Sequence, residues 1–279
     1  MNVYPVSERQ PLLSICIPTY KRVAYLRELL PILLREVENA NREDAGRVEL
    51  VVCDNASPDE TEAFCRETGN AGCVYFRNAE NVGGDANFLL CIERARGRHV
   101  WIFGDDELIE EGALARVLDI LIQDDPALII FDGSAPQEKR KYSDYRECLR
   151  GEMARQYLFP IMHSLITANV FLKDAFDMPL ARAKLRTNYG HMFGLASGLR
   201  KGGAVAVCPG VVLIRPRRAQ FDQWPFALCV KQAYYLWHIA RWFRIPRLRA
   251  IAVWVALNLP IECAAYLARR SFPSRFGRT

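Results

Sequence analysis

The stretch Val100-Trp101-Ile102-Phe103-Gly104-Asp105-Asp106-Glu107 constrains the fold more than any other in this chain. An apolar run passes through one glycine into three adjacent carboxylates. Like charges held side by side repel, and the cost is recovered where a cation sits among them. One reading is therefore a buried strand aimed at a cation. The other is a strand followed by a solvated acidic turn that caps the next helix. The segments before it decide between the two.

Leu12 to Ile17 reads as a buried strand that stops at Pro18, and Pro18-Thr19-Tyr20-Lys21-Arg22 follows as a loop. Leu26, Leu29, Leu30, Leu33, Leu34 and Val37 recur at helical spacing and predict an amphipathic helix of about four turns. Pro31 inside that pattern should kink the helix or restrict its start. Val48 to Asp54 is a second buried strand. It ends in the turn-and-cap sequence Asp54-Asn55-Ala56-Ser57-Pro58-Asp59-Glu60, ahead of a helix to about Thr68. Val74 to Arg77 is a third strand, and Asn78 to Gly84 is a loop in which Gly83-Gly84 lets the backbone approach a ligand closely. A helix from about Asp85 to Arg96 turns Phe88, Leu89 and Ile92 inward. The fourth strand is Val100–Phe103, followed by a helix over Gly112–Gln123 and a fifth strand, Leu128–Asp132.

Apolar strands alternating with helices predict an α/β fold whose mainly parallel sheet is covered on both faces. In such sheets the ligand lies at the carboxyl ends of the strands, near the switch in strand order. Thr19, Tyr20 and Arg22 follow the first strand, Asp54 and Asn55 the second, and Asp105, Asp106 and Glu107 the fourth. The polar residues thus gather where that rule places a ligand. With 279 residues, 51% hydrophobic and 25% charged, the chain is long enough for a large core. No apolar run reaches the ~20 residues of a membrane span, and Met1 to Gln10 has no signal-peptide core. Nine cysteines without CxxC or Cys/His zinc spacing predict free thiols and a reducing, cytoplasmic location.

Four segments together resemble the family 2 glycosyltransferases of GT-A fold: Ser14-Ile15-Cys16-Ile17-Pro18-Thr19-Tyr20-Lys21-Arg22, Val52-Cys53-Asp54-Asn55-Ala56-Ser57, Asn78 through Phe88, and Gly104-Asp105-Asp106-Glu107. The closest flavour is the abequosyltransferase-like branch, which makes bacterial surface polysaccharides. The resemblance covers about residues 11–135 and continues faintly to about 218. It implies a nucleotide diphosphate sugar as donor and a glycan or lipid-linked glycan as acceptor. It also implies roles. Pro18, Thr19, Tyr20 and Arg22 would line the base and ribose pocket. Asp54 would accept a hydrogen bond from the base, with Asn55 beside it; on its own, Asp54 also reads as a helix cap. Gly83, Gly84 and Asn87 would form the loop wall. Asp105, Asp106 and Glu107 stand at the family's DxD-type motif, where carboxylates hold Mn2+ or Mg2+ against the donor diphosphate. Asp106 is the first choice of metal ligand and Glu107 the second, with Asp105 on the substrate. Two departures stand out: Glu107 replaces the usual Asp, and Gly104 stands where many relatives begin the motif with Asp.

Ser134 to Arg150 reads as a long polar loop, either a lid or a solvated excursion. Leu165 to Phe171 looks like the segment that returns to the sheet beside the donor site, and Val205 to Ile214 like a strand pair. The Glu-Asp pair that often carries the family's catalytic base is absent. His191, in Asn188-Tyr189-Gly190-His191-Met192-Phe193, stands at about that place. It has three readings: base for the acceptor hydroxyl, completion of the metal shell, or a buried structural histidine. Asp174 and Asp177 are weaker base candidates, because their segment reads as helix cap and turn. Arg215-Pro216-Arg217-Arg218 reads as a contact for the donor diphosphate or for a phosphorylated lipid acceptor, or as a solvated face. From Trp224 on, aromatic residues alternate with arginines, and the net charge of +5 is concentrated there. Such a region contacts a membrane interface peripherally, or packs on the core or on a second copy in a homo-oligomer. Nucleic acid is not expected, because no recognition motif accompanies the basic residues.

The organisation expected is a GT-A domain over 1–220, with a nucleotide-sugar half at 11–135 and an acceptor half at 136–220. A basic amphipathic helical region follows over 221–279. The function expected is metal-dependent, inverting sugar transfer to a surface polysaccharide or oligosaccharide, at the inner face of the membrane if the tail meets lipid. The alternatives are a non-catalytic nucleotide-sugar-binding subunit and a nucleotidyltransferase. The second lacks the Gly-rich loop after the first strand, and a Rossmann dehydrogenase is excluded by the missing GxGxxG.

Overall fold

The computed structural model describes residues 9–44, 47–69, 72–132, 138–155, 166–209, 212–214, 226–249 and 251–252. Arg215 to Arg218 and residues 253–279 lie outside the described residues. The first half alternates as expected: β1 (Leu13–Thr19), α1 (Val23–Glu43), β2 (Val48–Asp54), α2 (Thr61–Gly69), β3 (Cys73–Arg77), α3 (Gly84–Arg94) and β4 (His99–Ile102). Then come β5 (Glu107–Ile109), α4 (Ala113–Asp124), β6 (Leu128–Asp132), β7 (Arg140–Tyr142) and α5 (Tyr145–Arg155). A 3₁₀ turn at Ile166–Ala168 leads into β8 (Asn169–Leu172). Next are α6 (Met178–Ala183), α7 (Gly190–Leu199), β9 (Val205–Pro209), β10 (Val212–Ile214) and α8 (Phe226–Trp242).

Eight strands form one sheet in the order β3-β2-β1-β4-β8-β6-β9-β7. β3, β2, β1 and β4 run parallel to one another, and β6 and β9 are a parallel pair. β8 enters antiparallel between β4 and β6. This is the segment expected to return to the sheet. Side chains alternate across a strand, so the two faces receive different neighbours. Leu13, Ile15, Ile17, Trp101 and Phe103 face one layer with Leu26, Leu29 and Leu30 of α1 and Leu114, Val117 and Leu121 of α4. Cys16, Val100, Ile102, Leu128 and Ile130 face the other with Leu89 and Ile92 of α3, Leu149 of α5, Phe193 of α7, and Tyr235, Leu236 and Ile239 of α8. Each fully buried Leu, Ile or Phe contributes roughly 1.5–3 kcal/mol. Cys16, Cys53, Cys65, Cys73, Cys91, Cys148 and Cys208 are free and buried.

Four expectations are corrected. α1 is 21 residues long and runs through Pro31. Pro31 is exposed, so the carbonyl left without a donor faces water. The region read as a loop from Ser134 contains β7 and most of α5. Its charges pair internally: Arg140 donates to both oxygens of Glu152 at 2.6 and 2.8 Å, and Glu152 is buried. Val205–Ile214 does not fold back on itself. β9 joins the main sheet, while β10 pairs with β5 in a separate ribbon, Ile214 opposite Glu107. Phe88 is only half-buried and meets His191 edge-on at 5.7 Å. Among the described residues no helix is long and apolar enough to cross a membrane.

Candidate active site

Register builds the site. β1 and β4 are paired as far as Cys16 and Ile102, and the Phe103 N–H donates to the Cys16 carbonyl at 2.8 Å. Three residues on, Thr19 and Asp105 are therefore adjacent, and the Thr19 hydroxyl donates to Asp105 Oδ2 at 2.8 Å. On the other side Thr19 is level with Asp54, and the Asn55 N–H donates to the Thr19 carbonyl at 3.0 Å. The loops after β1, β2 and β4 thus meet at one end of the sheet.

Arg22 reaches over this end. Its Nη1 lies 2.6 Å from Asp105 Oδ1 and 3.3 Å from Asp106 Oδ2. Asp105 is only 4% exposed, with one oxygen on Thr19 and the other on Arg22. Burial pushes its pKa up, while Arg22 and Thr19 oppose the shift. Asp105, expected on the substrate, here holds Thr19 and Arg22. Asp106 is more open, at 19% side-chain exposure.

Glu107 is not part of a solvated turn. It opens β5 and is drawn inward by the ribbon with β10. Burial pushes its pKa up to about 7, with Asp106 and Asp105 adding to the rise and the Thr167 hydroxyl opposing it. Its Oε2 is buried without a hydrogen-bond partner. Gly104 makes the crowding feasible. A Cβ there would stand 3.2 Å from both Asp106 Oδ1 and Glu107 Cδ, so a side chain would press the carboxylates apart. Sequence reasoning missed the importance of Thr167. Its hydroxyl accepts from the Gly104 N–H at 2.9 Å, and its carbonyl accepts from Trp101 Nε1 at 2.8 Å. The sequence signal was only a threonine just before a strand.

Asp106 and Glu107 offer hard oxygen donors, and the orphaned Glu107 Oε2 fits a cation that would otherwise be missing from its surroundings. Among the described residues no three His, Cys, Asp or Glu are grouped to hold a metal ion. Magnesium-type ions are commonly held by one or two carboxylates plus substrate phosphates and water, and the pair fits that habit. The metal-shell reading of His191 finds no such group among the described residues.

The neighbouring wall is a cluster of asparagines. Asn78 Nδ2 donates to Asn55 Oδ1 at 3.1 Å and to Asn87 Oδ1 at 2.9 Å. Asn87 Nδ2 donates to the Cys53 carbonyl at 2.9 Å, and Asn55 Nδ2 donates to Asn81 Oδ1 at 2.8 Å. The Val82 N–H also donates to Asn55 Oδ1 at 2.9 Å. Asn55 and Asn87 are buried and fully engaged, so they brace the loop rather than form its surface. Gly83, expected there, is exposed with φ of 86°, a left-handed conformation that favours glycine, and it precedes α3 as N-cap; Gly84 opens the helix.

Asp54 is fully buried. It accepts from the Ser57 N–H at 2.9 Å, from the Tyr75 hydroxyl at 2.7 Å and from Arg77. The carboxylate expected to meet a base here anchors Tyr75 and Arg77. β1 runs through the buried Pro18 to Thr19, one residue past the expected stop, and Tyr20 is half-exposed at the rim with Lys21 over its ring.

His191 sits in the first turn of α7 at 12% side-chain exposure, its Nδ1 4.0 Å from Asp85 Oδ1 of α3. Tyr189 stacks on it at 6.4 Å. Asp85 was not singled out from the sequence, because nothing local connects it to a histidine on another helix. Asp177 is a cap as read, accepting from the Leu180 N–H at 3.0 Å and from Ser197 Oγ at 2.7 Å.

Residues 14–181 match the family model described as Glycosyl transferase family 2. The chain belongs to that family. Similar proteins include the abequosyltransferase RfbV of Salmonella typhimurium, 38% identical over 109 residues, covering 37% of this chain and 31% of the relative. The likeness to the abequosyltransferase-like branch read from the motifs therefore stands. An uncharacterized glycosyltransferase, RP339 of Rickettsia prowazekii, is 27% identical over 173 residues, covering 59% and 49%. The family 2 chain thus spans about a third to a half of the length of these curated relatives. Among solved structures, S. aureus TarS 1-349 superposes with a TM-score of 0.57 at 14% identity, covering 87% of this chain and 71% of TarS 1-349. The mannosyltransferase PcManGT of Pyrobaculum calidifontis gives 0.59 at 15% identity, covering 100% and 80%. At these identities the two structures speak for the fold, which is the GT-A type expected.

Proposed function

We propose that this family 2 chain transfers a sugar from a nucleoside diphosphate sugar to a glycan hydroxyl, with inversion and with a divalent cation. The observation that carries the reading is the line Thr19–Asp105–Arg22–Asp106, which ends beside the orphaned oxygen of Glu107. A chain folded for stability alone gains little by crowding three carboxylates, one of them buried, around a single arginine. A diphosphate site needs this arrangement: oxygen donors for a cation and a guanidinium for phosphate oxygens. PcManGT, a fold neighbour, was crystallised with GDP-Man and Mn2+, which is consistent with this use of the strand ends.

Asp106 and Glu107 would hold the cation, whose bound charge neutralises the departing diphosphate. Arg22, now spent on Asp105 and Asp106, is positioned to turn toward phosphate once a cation neutralises those carboxylates. Tyr20 and the Asn81–Gly83 turn would border the base and ribose. His191 would accept the acceptor proton, with Asp85 opposing the positive charge that develops on the ring. The lipid-linked character of the acceptor and contact with the inner membrane face are proposed from the basic, aromatic C-terminal sequence.

The test is a melting series with nucleoside diphosphates, with and without manganese, on wild type and Asp106→Ala. Native-state ligands raise the melting temperature by mass action. A manganese-dependent rise with one nucleotide, absent in the variant, is expected. Donor turnover should be lost with it. A folded wild type that responds to no nucleotide refutes the donor site. Nucleotide binding without turnover on any acceptor points instead to a non-catalytic binding subunit.

A further inference from the structure

At the opposite end of α7 from His191, the structure holds a second charged recess. It is a cleft of about 280 Å³ lined by Asp144, Arg146, Arg200, Gly202, Trp242 and Arg244. Arg200 lies nine residues beyond His191 in sequence, about 14 Å at the helical rise. The start of α5, the end of α7 and the end of α8 converge there, with Leu199 and Phe243 as the apolar floor.

Three features mark this cleft as built for an anion. First, its arginines are not neutralised. Among the described residues Arg146, Arg200 and Arg244 have no ion-pair partner, as is true of other arginines such as Arg35 and Arg150, but here three of them converge on one cleft. The single acid in the lining, Asp144, spends Oδ1 on the Glu147 N–H at 2.8 Å as the cap of α5. Second, Arg146 Nε is buried with no hydrogen-bond partner, a donor for which the protein supplies no acceptor. Third, Arg244 has φ of 53° where α8 ends, and the Ile245 N–H donates back to the Ala240 carbonyl at 3.0 Å. That left-handed position after a helix is ordinarily taken by glycine. An arginine kept there in spite of its backbone preference points to use of the side chain. Trp242 holds Arg200 in place, the guanidinium 5.4 Å from the ring centroid.

We propose that this cleft binds a phosphate group, independently of the donor site. Guanidinium forks match phosphate oxygens in geometry, and three of them around one carboxylate leave net positive charge. Ligand sites for larger molecules occupy about 300–1,000 Å³, so this cleft suits a phosphate ester or headgroup rather than a nucleotide sugar. The phosphate could belong to a soluble ester or to a lipid headgroup.

The experiment uses the full chain without divalent metal, so that the acidic motif cannot recruit the probe. Inorganic phosphate and pyrophosphate are titrated by calorimetry. Vesicles of phosphatidylcholine, with and without phosphatidylglycerol, are co-sedimented with the protein. Wild type should bind one class of probe, and the double variant Arg146→Gln/Arg200→Gln should bind at least about tenfold more weakly. Arg244→Gly should weaken binding while keeping or raising the melting temperature, because glycine suits the left-handed backbone. It keeps the test decisive if the double variant unfolds. Asp106→Ala should bind as wild type, which separates this cleft from the donor site. Arginine-dependent binding of the soluble anions assigns a soluble phosphate ester. Arginine-dependent binding of the phosphatidylglycerol vesicles alone assigns a lipid headgroup. Binding of neither probe, or binding that survives all the arginine substitutions, overturns the proposal.

Discussion

Two polar clusters stand side by side at the carboxyl ends of the strands, and they are built on opposite terms. In the asparagine cluster after β2 and β3, the side chains of Asn55, Asn78 and Asn87 satisfy one another and the backbone. In the acidic cluster after β4, Asp105 and Asp106 share one arginine, and the neighbouring Glu107 keeps a buried oxygen without a hydrogen-bond partner. A buried network with every member satisfied gives rigidity and a unique shape. A buried charge left unsatisfied costs stability and is retained where a ligand completes it. The first cluster is a frame and the second is a socket.

Substitutions can sharpen that contrast. The largest effect is expected from Asp106→Ala in the socket. Sugar transfer should fall at least about a thousandfold, near 4 kcal/mol in the barrier, with little change in melting temperature. A loss of stability as large as the loss of rate would make Asp106 part of the frame. Next is Glu107→Gln. Burial holds the Glu107 pKa near 7, so its charged form is disfavoured in the folded state. Urea unfolding at pH 8 without metal should show the amide more stable by roughly 2–3 kcal/mol. Its manganese-dependent stabilisation should disappear. Asn87→Ala should act the other way, costing roughly 1–3 kcal/mol in the same experiment with or without metal, because Asn78 and the Cys53 carbonyl each lose a partner.

The smallest effect concerns His99, at the other end of β4. It is fully buried, its Nε2 3.1 Å from the Pro126 carbonyl, and burial holds its pKa below the ordinary 6.5. A histidine lowered in this way takes its proton later than the unfolded chain does as pH falls. The stability it permits is whole above about pH 6.5 and declines below it, with a limiting slope of about 1.4 kcal/mol per pH unit for one proton. The difference in unfolding free energy between wild type and His99→Gln should therefore change between pH 7 and pH 5. A constant difference would show that His99 does not titrate on unfolding.

The strands β1, β2, β4 and β6 were legible because each is an apolar run buried on both faces. The gathering of Thr19, Arg22 and the acidic turn followed from the rule for parallel sheets. Periodicity had no hold on β5, β7 and β10, which are three residues long and owe their existence to partners far along the chain. Glu107 was therefore placed in the acidic motif that ends β4 and not in a strand, although pairing with Ile214 makes it the first residue of β5. Charge misled over β7 and α5, where polar residues that look solvated neutralise one another. Asparagines after a strand signal a turn but not whether they point outward, so Asn55 and Asn87 were assigned to the surface they brace. The arginine cleft left no trace in the sequence, since its guanidiniums come from separate helices.

The antiparallel wedge of β8 has a consequence for the chain as it is made. Both neighbours of β6 are synthesised after it: β8 ends at Leu172 and β9 at Pro209. The ribosome adds 77 residues between Asp132 and Pro209, roughly 4–15 seconds of elongation at ordinary rates. Until Leu172 is made, Leu128, Ile129 and Ile130 form an apolar strand without a flanking partner on either side, and until β9 is made one side stays open. The opening four parallel strands can already assemble, so a nascent chain carries a paired β3-β2-β1-β4 half joined to an unfinished one. The hazard of misassembly is set by the order of the strands in the sheet, and it ends only when β9 arrives.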